Sequence, residues 1–230
     1  SIKTVKKFNK SSGLPGNNVK VVYQDLENNY WIGLFGDGLD VLNSLSFSIY
    51  SPGSTDETNN IIYINKIQDD YFLGTRAGFY LFNIEPNKII SFTSLKQITM
   101  KYDILSYCVD FENNIWIGTK GGGLFVRDRS GSMKQFYREG NSSEDNVTDI
   151  EVDGKYIWLG TLNGVIILNR AGAGEKFKSR YNINNGLPHN SINQIFLTSD
   201  GRAVIAMKAD RVYTIDPETG VIPGSAVMIG

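Results

Sequence analysis

A short motif that recurs at nearly constant spacing limits the fold of this chain more than any other feature. Five copies of Trp-Ile-Gly, or a close variant of it, end at positions 33, 74, 118, 160 and 206, which are 41, 44, 42 and 46 residues apart. Phe72 and Val204 take the place of Trp in the second and fifth copies. A period of about 43 residues through nearly all of a 230-residue chain predicts a repeat architecture with one structural unit per copy.

Each copy predicts four short strands separated by turns. An alternating first strand, such as Asn18–Gln24, leads through a tight turn to the strand that carries the motif. Equivalent positions of that turn hold Asn28, Asn113 and Gly201, residue types that tolerate a positive φ. A third strand begins at a glycine followed by an apolar residue, and a more polar fourth strand follows. The composition agrees, because Ala occurs only 7 times whereas Gly occurs 24 and Asn 22 times.

The predicted fold is all-β: a β-propeller with five four-stranded blades, interpreted as an excerpt of a larger propeller. One domain spans residues 1–230, with residues 1–9 as an outer strand. The approximate blades are 13–51, 60–93, 102–138, 146–181 and 190–216. The strands around Trp31, Trp116 and Trp158 are apolar on both faces, so we expect the three indoles to be buried between neighbouring sheets.

Two alternatives remain open for the ends of the array. The last copy ends after its third strand, at Tyr213–Ile215, and the chain opens with a segment, Thr4–Phe8, that resembles a fourth strand. Pairing of these two segments would close a five-bladed ring. In the alternative, the blades belong to a longer array, and we then expect self-association through the uncovered faces of the end blades.

The segment Gly13–Leu42 carries the most specific pattern: Gly-Leu-Pro-x-Asn-x-Val, then Asp-x-x-Asn-Asn-x-Trp-Ile-Gly, then Gly-Leu. This pattern resembles the two-component regulator propeller repeat, and Ile104–Val126 and Val147–Leu168 are similar to it as well. The resemblance implies a sensor domain of a bacterial hybrid two-component system, in the periplasm ahead of a membrane span and a kinase. It also implies a receptor for oligosaccharides derived from complex polysaccharides, usually with seven blades rather than five.

Charge and composition argue against several other classes of function. With 23 basic and 24 acidic residues, the chain lacks the basic surplus of a nucleic-acid-binding protein. Cys108 and His189 are the only residues of their types, so we predict no metal site, no cofactor and no catalytic residues. The regular acids lie at equivalent turn positions, which indicates turn chemistry rather than a five-bladed glycoside hydrolase. These acids are Asp25, Glu27, Asp110, Glu112 and Asp200.

Candidate ligand contacts lie where the repeat is least regular, in the turns between the second and third strands. Loops on one face of a propeller converge near its central channel, so we expect these turns to form a shared rim. The tentative rim residues are Phe35, Asp37, Arg76, Lys120, Asn163 and Lys208. Arg and Lys side chains there are suited to charge-assisted hydrogen bonds with an acidic or hydroxyl-rich ligand.

The function predicted from these observations is a non-catalytic extracytoplasmic sensor domain that binds an oligosaccharide-type ligand and signals to a membrane histidine kinase. The alternatives are a protein-interaction propeller scaffold and a polysaccharide-acting enzyme. We expect a periplasmic location as part of an inner-membrane protein, with contact to the membrane only through segments outside these residues. The expected partners are the oligosaccharide ligand and further copies of the chain, and no nucleic acid.

Overall fold

The chain folds into strands joined by turns. A computed structural model describes residues 7–26, 28–43, 46–67, 70–85, 88–94, 102–141, 143–170, 177–207, 211–221 and 227–228. Within these ranges the only helical element is a 3-10 turn at Lys10–Ser12, whose amino-terminal end is capped by the side chain of Asn9. The all-β prediction is therefore confirmed.

The strands form five antiparallel sheets. The first contains β1 (Val19–Gln24), β2 (Tyr30–Leu34), β3 (Gly38–Asn43) and β4 (Ser46–Tyr50). The second contains β5 (Ile61–Ile67), β6 (Asp70–Thr75), β7 (Gly78–Glu85) and β8 (Lys88–Ser94). The third contains β9 (Ile104–Val109), β10 (Ile115–Thr119), β11 (Leu124–Arg127) and β12 (Met133–Tyr137). The fourth contains β13 (Val147–Val152), β14 (Tyr156–Thr161), β15 (Gly164–Asn169) and β16 (Phe177–Tyr181).

The fifth sheet departs from the predicted four-strand pattern. It contains β17 (Ile192–Leu197), β18 (Ala203–Met207) and β19 (Arg211–Asp216), and two short strands, β20 (Gly220–Val221) and β21 (Val227–Met228), both pair with β19. The outer edge of β19 is thus occupied by residues that follow it. Pairing of Thr4–Phe8 with this edge stays a prediction, because most of that segment lies outside the described residues. Residues 1–6 lie outside the described residues, and 7–9 are not in a strand, so an outer strand over 1–9 is not found at its described end.

In every sheet the motif strand is the second one, and its neighbours are its sequence neighbours. In the first sheet, for example, Trp31 pairs with Tyr23 of β1 and with Val41 of β3. Such consecutive pairing places the turn between second and third strands at one end of each sheet. The turn between first and second strands lies at the other end.

The chain divides into two compact units, residues 1–100 and 101–230. In the first unit, Trp31 packs on Tyr71 and Phe82 of the second sheet, with ring centroids 5.1 and 5.5 Å away. In the second unit, Trp116 lies in the core between the third and fourth sheets, and Trp158 in the core between the fourth and fifth. All three indoles are buried, as predicted.

The glycine of the motif lies where the first strand of the next sheet comes closest. A Cβ atom on Gly33 would lie 2.6 Å from Cγ2 of Ile61, and one on Gly118 would lie 2.7 Å from the carbonyl oxygen of Val147. Gly160 is crowded in the same way. A side chain at these positions would push the neighbouring strand away, so the glycines set the distance between consecutive sheets.

The aspartate of the motif closes the turn in front of each complete Trp-Ile-Gly copy. Oδ1 of Asp25 accepts a hydrogen bond from the Asn29 amide at 2.8 Å, and Oδ2 accepts one from Nε1 of Trp31 at 2.8 Å. Asp110 makes the same two bonds, to Asn114 and Trp116, both at 2.9 Å. Since these carboxylates are committed to turn amides and indoles, they act as the turn residues that the sequence predicts.

Two asparagines of the same turns adopt the left-handed conformation that their positions predict. Asn28 has a φ of 65° and Asn113 a φ of 62°, and Gly201 has a φ of 83° at the equivalent position of the fifth sheet. Asn and Gly are the residues that enter this region most readily. Glu27, which precedes Asn28, lies outside the described residues.

Candidate functional site

The turns predicted to carry the ligand contacts are built on a repeated threonine. Thr75, Thr119 and Thr161 each follow the motif glycine, are buried, and donate a side-chain hydrogen bond of 2.8 Å across the turn. The acceptors are the carbonyl oxygens of Gly78, Gly123 and Gly164. These bonds hold the turn backbone in place and leave its other side chains free to differ.

Each turn is also anchored to a connection between consecutive sheets, which precedes its own sheet for Arg76 and Lys120 and follows it for Gly164. The Arg76 amide donates to the carbonyl oxygen of Asn60 at 3.3 Å, and the Lys120 amide donates to that of Asp103 at 2.8 Å. In the fourth sheet the acceptor for Gly164 is Asn190, at 2.7 Å. The candidate residues therefore lie on a rigid frame rather than on a free loop.

In the first unit, two of the predicted residues meet on an exposed aromatic surface. Phe35 keeps 43% of its surface exposed, although a side chain of its size is more often buried. The Arg76 guanidinium lies over its ring at 5.8 Å from the centroid, and Nζ of Lys20 lies at 5.1 Å. We call Lys20, Phe35 and Arg76 the cationic aromatic surface.

Asp37 lies in the same turn as Phe35 but has a different neighbour. A Cβ atom on Gly16 would lie 2.1 Å from Oδ2 of Asp37, so the carboxylate covers the backbone of Gly16. Gly16 belongs to the Gly-Leu-Pro-x-Asn connection in front of β1. Asp37 thereby adds a negative group to the end of the first sheet that also carries the cationic aromatic surface.

In the second unit, the predicted residues differ in how far they are engaged. The Lys120 side chain is exposed. Asn163 uses both ends of its amide, because Nδ2 donates to Oε1 of Glu144 at 2.8 Å and Oδ1 accepts from Nδ2 of Asn190 at 3.0 Å. Asn163 thus joins the turn of the fourth sheet to the connections on either side of it. Lys208 lies outside the described residues.

Sequence analysis missed two groups at these turns. Lys20 alternates with apolar residues along β1, and only the structure reveals that its ammonium reaches Phe35. Glu144 is buried and pairs with Arg180 of β16 at 2.9 Å, and Arg180 also binds Glu139 at 3.1 Å. The threonine that follows Gly74, Gly118 and Gly160 was a visible pattern that points to these turns.

Other titratable groups do not assemble a reactive centre in the described part of the chain. His189 is exposed, and burial raises the pKa of the Cys108 thiol far above its ordinary value, which disfavours the reactive thiolate. Among the described residues, no group of three or more His, Cys, Asp or Glu side chains is placed to hold a metal ion. No helix in those same ranges is long and apolar enough to cross a membrane.

Comparison with solved structures identifies the fold. The chain is similar to the extracellular domain of a putative hybrid two-component system from B. thetaiotaomicron, with a TM-score of 0.72 and 19% identity over 94% of this chain and 31% of that one. For a second such domain from the same organism the TM-score is 0.68 and the sequence identity is 19%, over 92% of this chain and 28% of that one. For virginiamycin B lyase from Staphylococcus aureus the TM-score is 0.70 and the identity is 11%, over 92% of this chain and 70% of the lyase. No family model matches the chain, and no curated protein matches it.

These likenesses confirm the β-propeller fold, and the first two are to the class of protein that the repeat motifs resemble. The chain spans about a third of the length of those two extracellular domains. Five sheets within a longer propeller agree with the interpretation of the chain as an excerpt.

Proposed function

We propose that this chain is part of an extracytoplasmic sensor region of a two-component regulatory system, of the two-component regulator propeller family. The likeness in fold to two extracellular domains of putative hybrid two-component systems is the observation that carries the proposal. The repeat motifs of Gly13–Leu42 support it independently. In this proposal the region is periplasmic, and a membrane span and a histidine kinase outside these residues receive its signal.

The ligand in this proposal is an oligosaccharide-type molecule held at the rim. The cationic aromatic surface supports this, because an exposed ring offers a flat face to a sugar while Lys20 and Arg76 donate charge-assisted hydrogen bonds. Asp37 adds an acceptor for hydroxyl groups. Because Phe35 is flanked by two cations, an acidic sugar gains more here than a neutral one.

A binding experiment on the purified chain tests the ligand. We expect titration with oligosaccharides cut from a panel of neutral and acidic polysaccharides to give a dissociation constant that Arg76→Ala and Phe35→Ala each weaken by about tenfold. Leu26→Ala is the matched control, since Leu26 is 86% exposed at the opposite end of the first sheet. The rim proposal fails if none of the oligosaccharides binds, or if all three variants bind as the parent chain does.

We also propose that the domain itself catalyses no reaction. Asp25 and Asp110, acids of the repeated turns, are occupied by turn amides and indoles, which supports a role as turn residues rather than as the acid pair of a glycoside hydrolase. An assay for new reducing ends on the same panel checks this. Cleavage that survives purification and is abolished by Asp110→Asn in a folded protein would overturn it.

Self-association is the remaining part of the proposal. Val22 of β1 is 56% exposed and Phe196 of β17 is 50% exposed, and apolar surface of this kind favours burial against a partner. We expect sedimentation to show a dimer or larger species that Val22→Lys or Phe196→Lys dissociates. A strictly monomeric parent chain would contradict this.

A further inference from the structure

A cleft of about 440 Å³ opens between the third and fourth sheets, within the second unit. It lies among the turns that join first to second and third to fourth strands, so it is at the opposite end of these sheets from Lys120 and Asn163. Its volume falls in the range of small-molecule sites. None of the predicted rim residues that the structure describes lines it.

The floor of the cleft is aromatic and fixed in position. Trp116 and Phe136 meet edge to face, with ring centroids 5.0 Å apart. The Trp116 indole cannot turn freely, because its Nε1 donates to Asp110. Trp116 is 3% exposed and Phe136 is 9% exposed, so the base offers a small, preorganised apolar contact to the carbon-bound hydrogens of a ring-shaped ligand.

The walls of the cleft carry charges that balance. On one side, Nη2 of Arg170 lies 2.9 Å from Oε2 of Glu112. On the other side lie Asp128 and Lys134, both exposed. Two cations and two carboxylates therefore line the cleft, and Glu112 is paired with Arg170.

This balance selects the kind of ligand. An anion would compete with Glu112 for Arg170, and a cation would compete with Arg170 for Glu112, so either one must weaken this pair. A hydroxyl group both donates and accepts, so it can bridge a paired carboxylate and cation without replacing either.

We propose that the cleft is a second ligand site, for a neutral, hydroxyl-rich molecule the size of one or two sugar rings. Its hydroxyl groups bind the paired charges of the walls, and its apolar face packs on Trp116 and Phe136. The site is separate from the rim and does not depend on the sensor role, because it remains if the rim binds nothing.

Gly154 provides a clean way to block the cleft. It lies at the lining in the turn between β13 and β14, and a Cβ atom there would meet no other atom within 4 Å. Gly154→Phe therefore fills the cleft with little strain on the turn. Ser199→Phe is the matched control, because Ser199 is an exposed residue of the corresponding turn in the fifth sheet.

The experiment measures saturation-transfer NMR and titration calorimetry on the full chain. The probes are the neutral methyl glycosides of glucose, galactose, mannose and xylose at millimolar concentration, with galacturonate and alanine as the anionic and zwitterionic alternatives. We expect at least one neutral glycoside to bind the parent chain and Ser199→Phe equally, and Gly154→Phe to weaken that binding by at least about tenfold. Lys134→Met should also weaken it, whereas Lys120→Ala at the opposite end of β10 should not.

Three results would each overturn the proposal. One is that no neutral glycoside binds the parent chain. Another is that Gly154→Phe, once its melting curve shows a folded protein, and Lys134→Met both bind as the parent does. The third is that galacturonate or alanine binds more tightly than every neutral glycoside. A loss on Lys120→Ala but not on Gly154→Phe would assign the binding to the rim instead.

Discussion

The turns that precede Trp31 and Trp116 are built from the same residues but are embedded differently. In both, an aspartate binds the indole nitrogen and the asparagine four residues later. Beyond these bonds, Oδ2 of Asp25 lies 3.5 Å from the Tyr71 hydroxyl, whereas Oδ2 of Asp110 lies 3.0 Å from the Arg170 guanidinium. The two turns thus share their local hydrogen bonds, and they differ in that the next sheet places the Tyr71 hydroxyl beside one carboxylate and the Arg170 guanidinium beside the other.

The charged partner changes the acid–base behaviour of Asp110. Burial alone would raise the pKa of this carboxyl, but hydrogen bonds from Asn114 and Trp116 and the charge of Arg170 outweigh burial and lower it. Asp110 therefore contributes stability that is present above its unfolded-state pKa and is lost as pH falls through its folded-state pKa. The difference between the stability contributed by Asp110 and that contributed by Asp25 should therefore disappear in acid.

Removal of the indole from either turn should have the largest effect. Trp31→Ala and Trp116→Ala each leave a cavity and an aspartate without its donor, and we expect each to lower the free energy of unfolding by about 3–5 kcal/mol. Urea unfolding followed by circular dichroism measures this loss. The two losses should be similar because both indoles are buried in a core between two sheets. A loss below about 1 kcal/mol at either site would contradict this account of the motif.

Neutralisation of the aspartate should lower the free energy of unfolding by different amounts in the two turns. Asp110→Asn deprives the nearly buried Arg170 of one of its two carboxylates, so we expect a loss of about 2–4 kcal/mol at neutral pH. Asp25→Asn replaces the oxygen that accepts from the Trp31 indole or from the Asn29 amide, with an expected loss of about 1–2 kcal/mol. Unfolding of both variants at pH 7 and again in acid tests the difference, which should shrink in acid. Equal losses at every pH would show that Arg170 contributes nothing.

A buried carboxyl with few partners should behave in the opposite way. Burial, followed by the neighbouring charge of Asp149, raises the pKa of Glu151 to about 7 from 4.5. Its folded-state pKa is raised, so the stability linked to protonated Glu151 is present below pH 4.5 and is lost as pH rises to about 7.

Glu151→Gln therefore sharpens the contrast with Asp110. We expect it to stabilise the protein by about 1–3 kcal/mol at pH 8 and to have little effect near pH 4.5. Glu218→Gln is the control of opposite sign, because hydrogen bonds from Tyr156, Lys178 and Lys155 lower the pKa of Glu218 to about 2. Melting temperatures between pH 2 and pH 8 measure both, because the contribution of Glu218 is lost only as pH falls from 4.5 to about 2. An unchanged profile for Glu151→Gln would contradict the burial of its charge.

The smallest effect should come from the left-handed asparagines, where the two turns are alike. Asn28 and Asn113 have nearly the same φ, so alanine should cost about 1 kcal/mol relative to glycine at both positions. Asn28 also accepts a hydrogen bond from Gln24, so glycine alone should cost slightly more there. Thermal unfolding of the four variants measures these differences. A larger alanine penalty at one turn would show that its backbone is held more tightly by the neighbouring sheet.

The sequence predicts the parts of this fold that are encoded within one repeat. The motif spacing, the Trp burial and the positive φ of Asn113 follow from neighbours a few residues away, and all are confirmed. The Arg170–Asp110 pair joins residues 60 positions apart, and no local pattern predicts it. The pairing of β20 and β21 with β19 was also missed, because strands of two residues have too few side chains to form a pattern.

The candidate rim residues also differ in whether their contacts could be predicted from the sequence of one repeat. Divergent side chains in a regular frame pointed to Phe35 and Arg76, and the structure brings these two together. The same criterion selected Asn163, whose amide is instead engaged by Glu144 and Asn190, residues of the flanking connections. Side chains that differ between equivalent turn positions are not needed for the fold of the turn itself. This criterion does not distinguish a residue that contacts a ligand from one that contacts a neighbouring connection.

The motif glycines have a consequence for how such an array can change in length. In three repeats the motif glycine, Gly33, Gly118 or Gly160, leaves space for a residue of the following repeat, such as Ile61 or Val147. Each repeat contains both a first-strand residue that packs on the preceding repeat and a glycine on which the following repeat packs. Duplication or deletion of one whole repeat therefore keeps these two kinds of residue together. Recombination in units of one repeat would preserve these contacts between consecutive repeats. Recombination within a repeat would instead place a motif glycine beside a strand that does not fit it. Blade number in these proteins is then free to vary while the geometry of each junction stays constant.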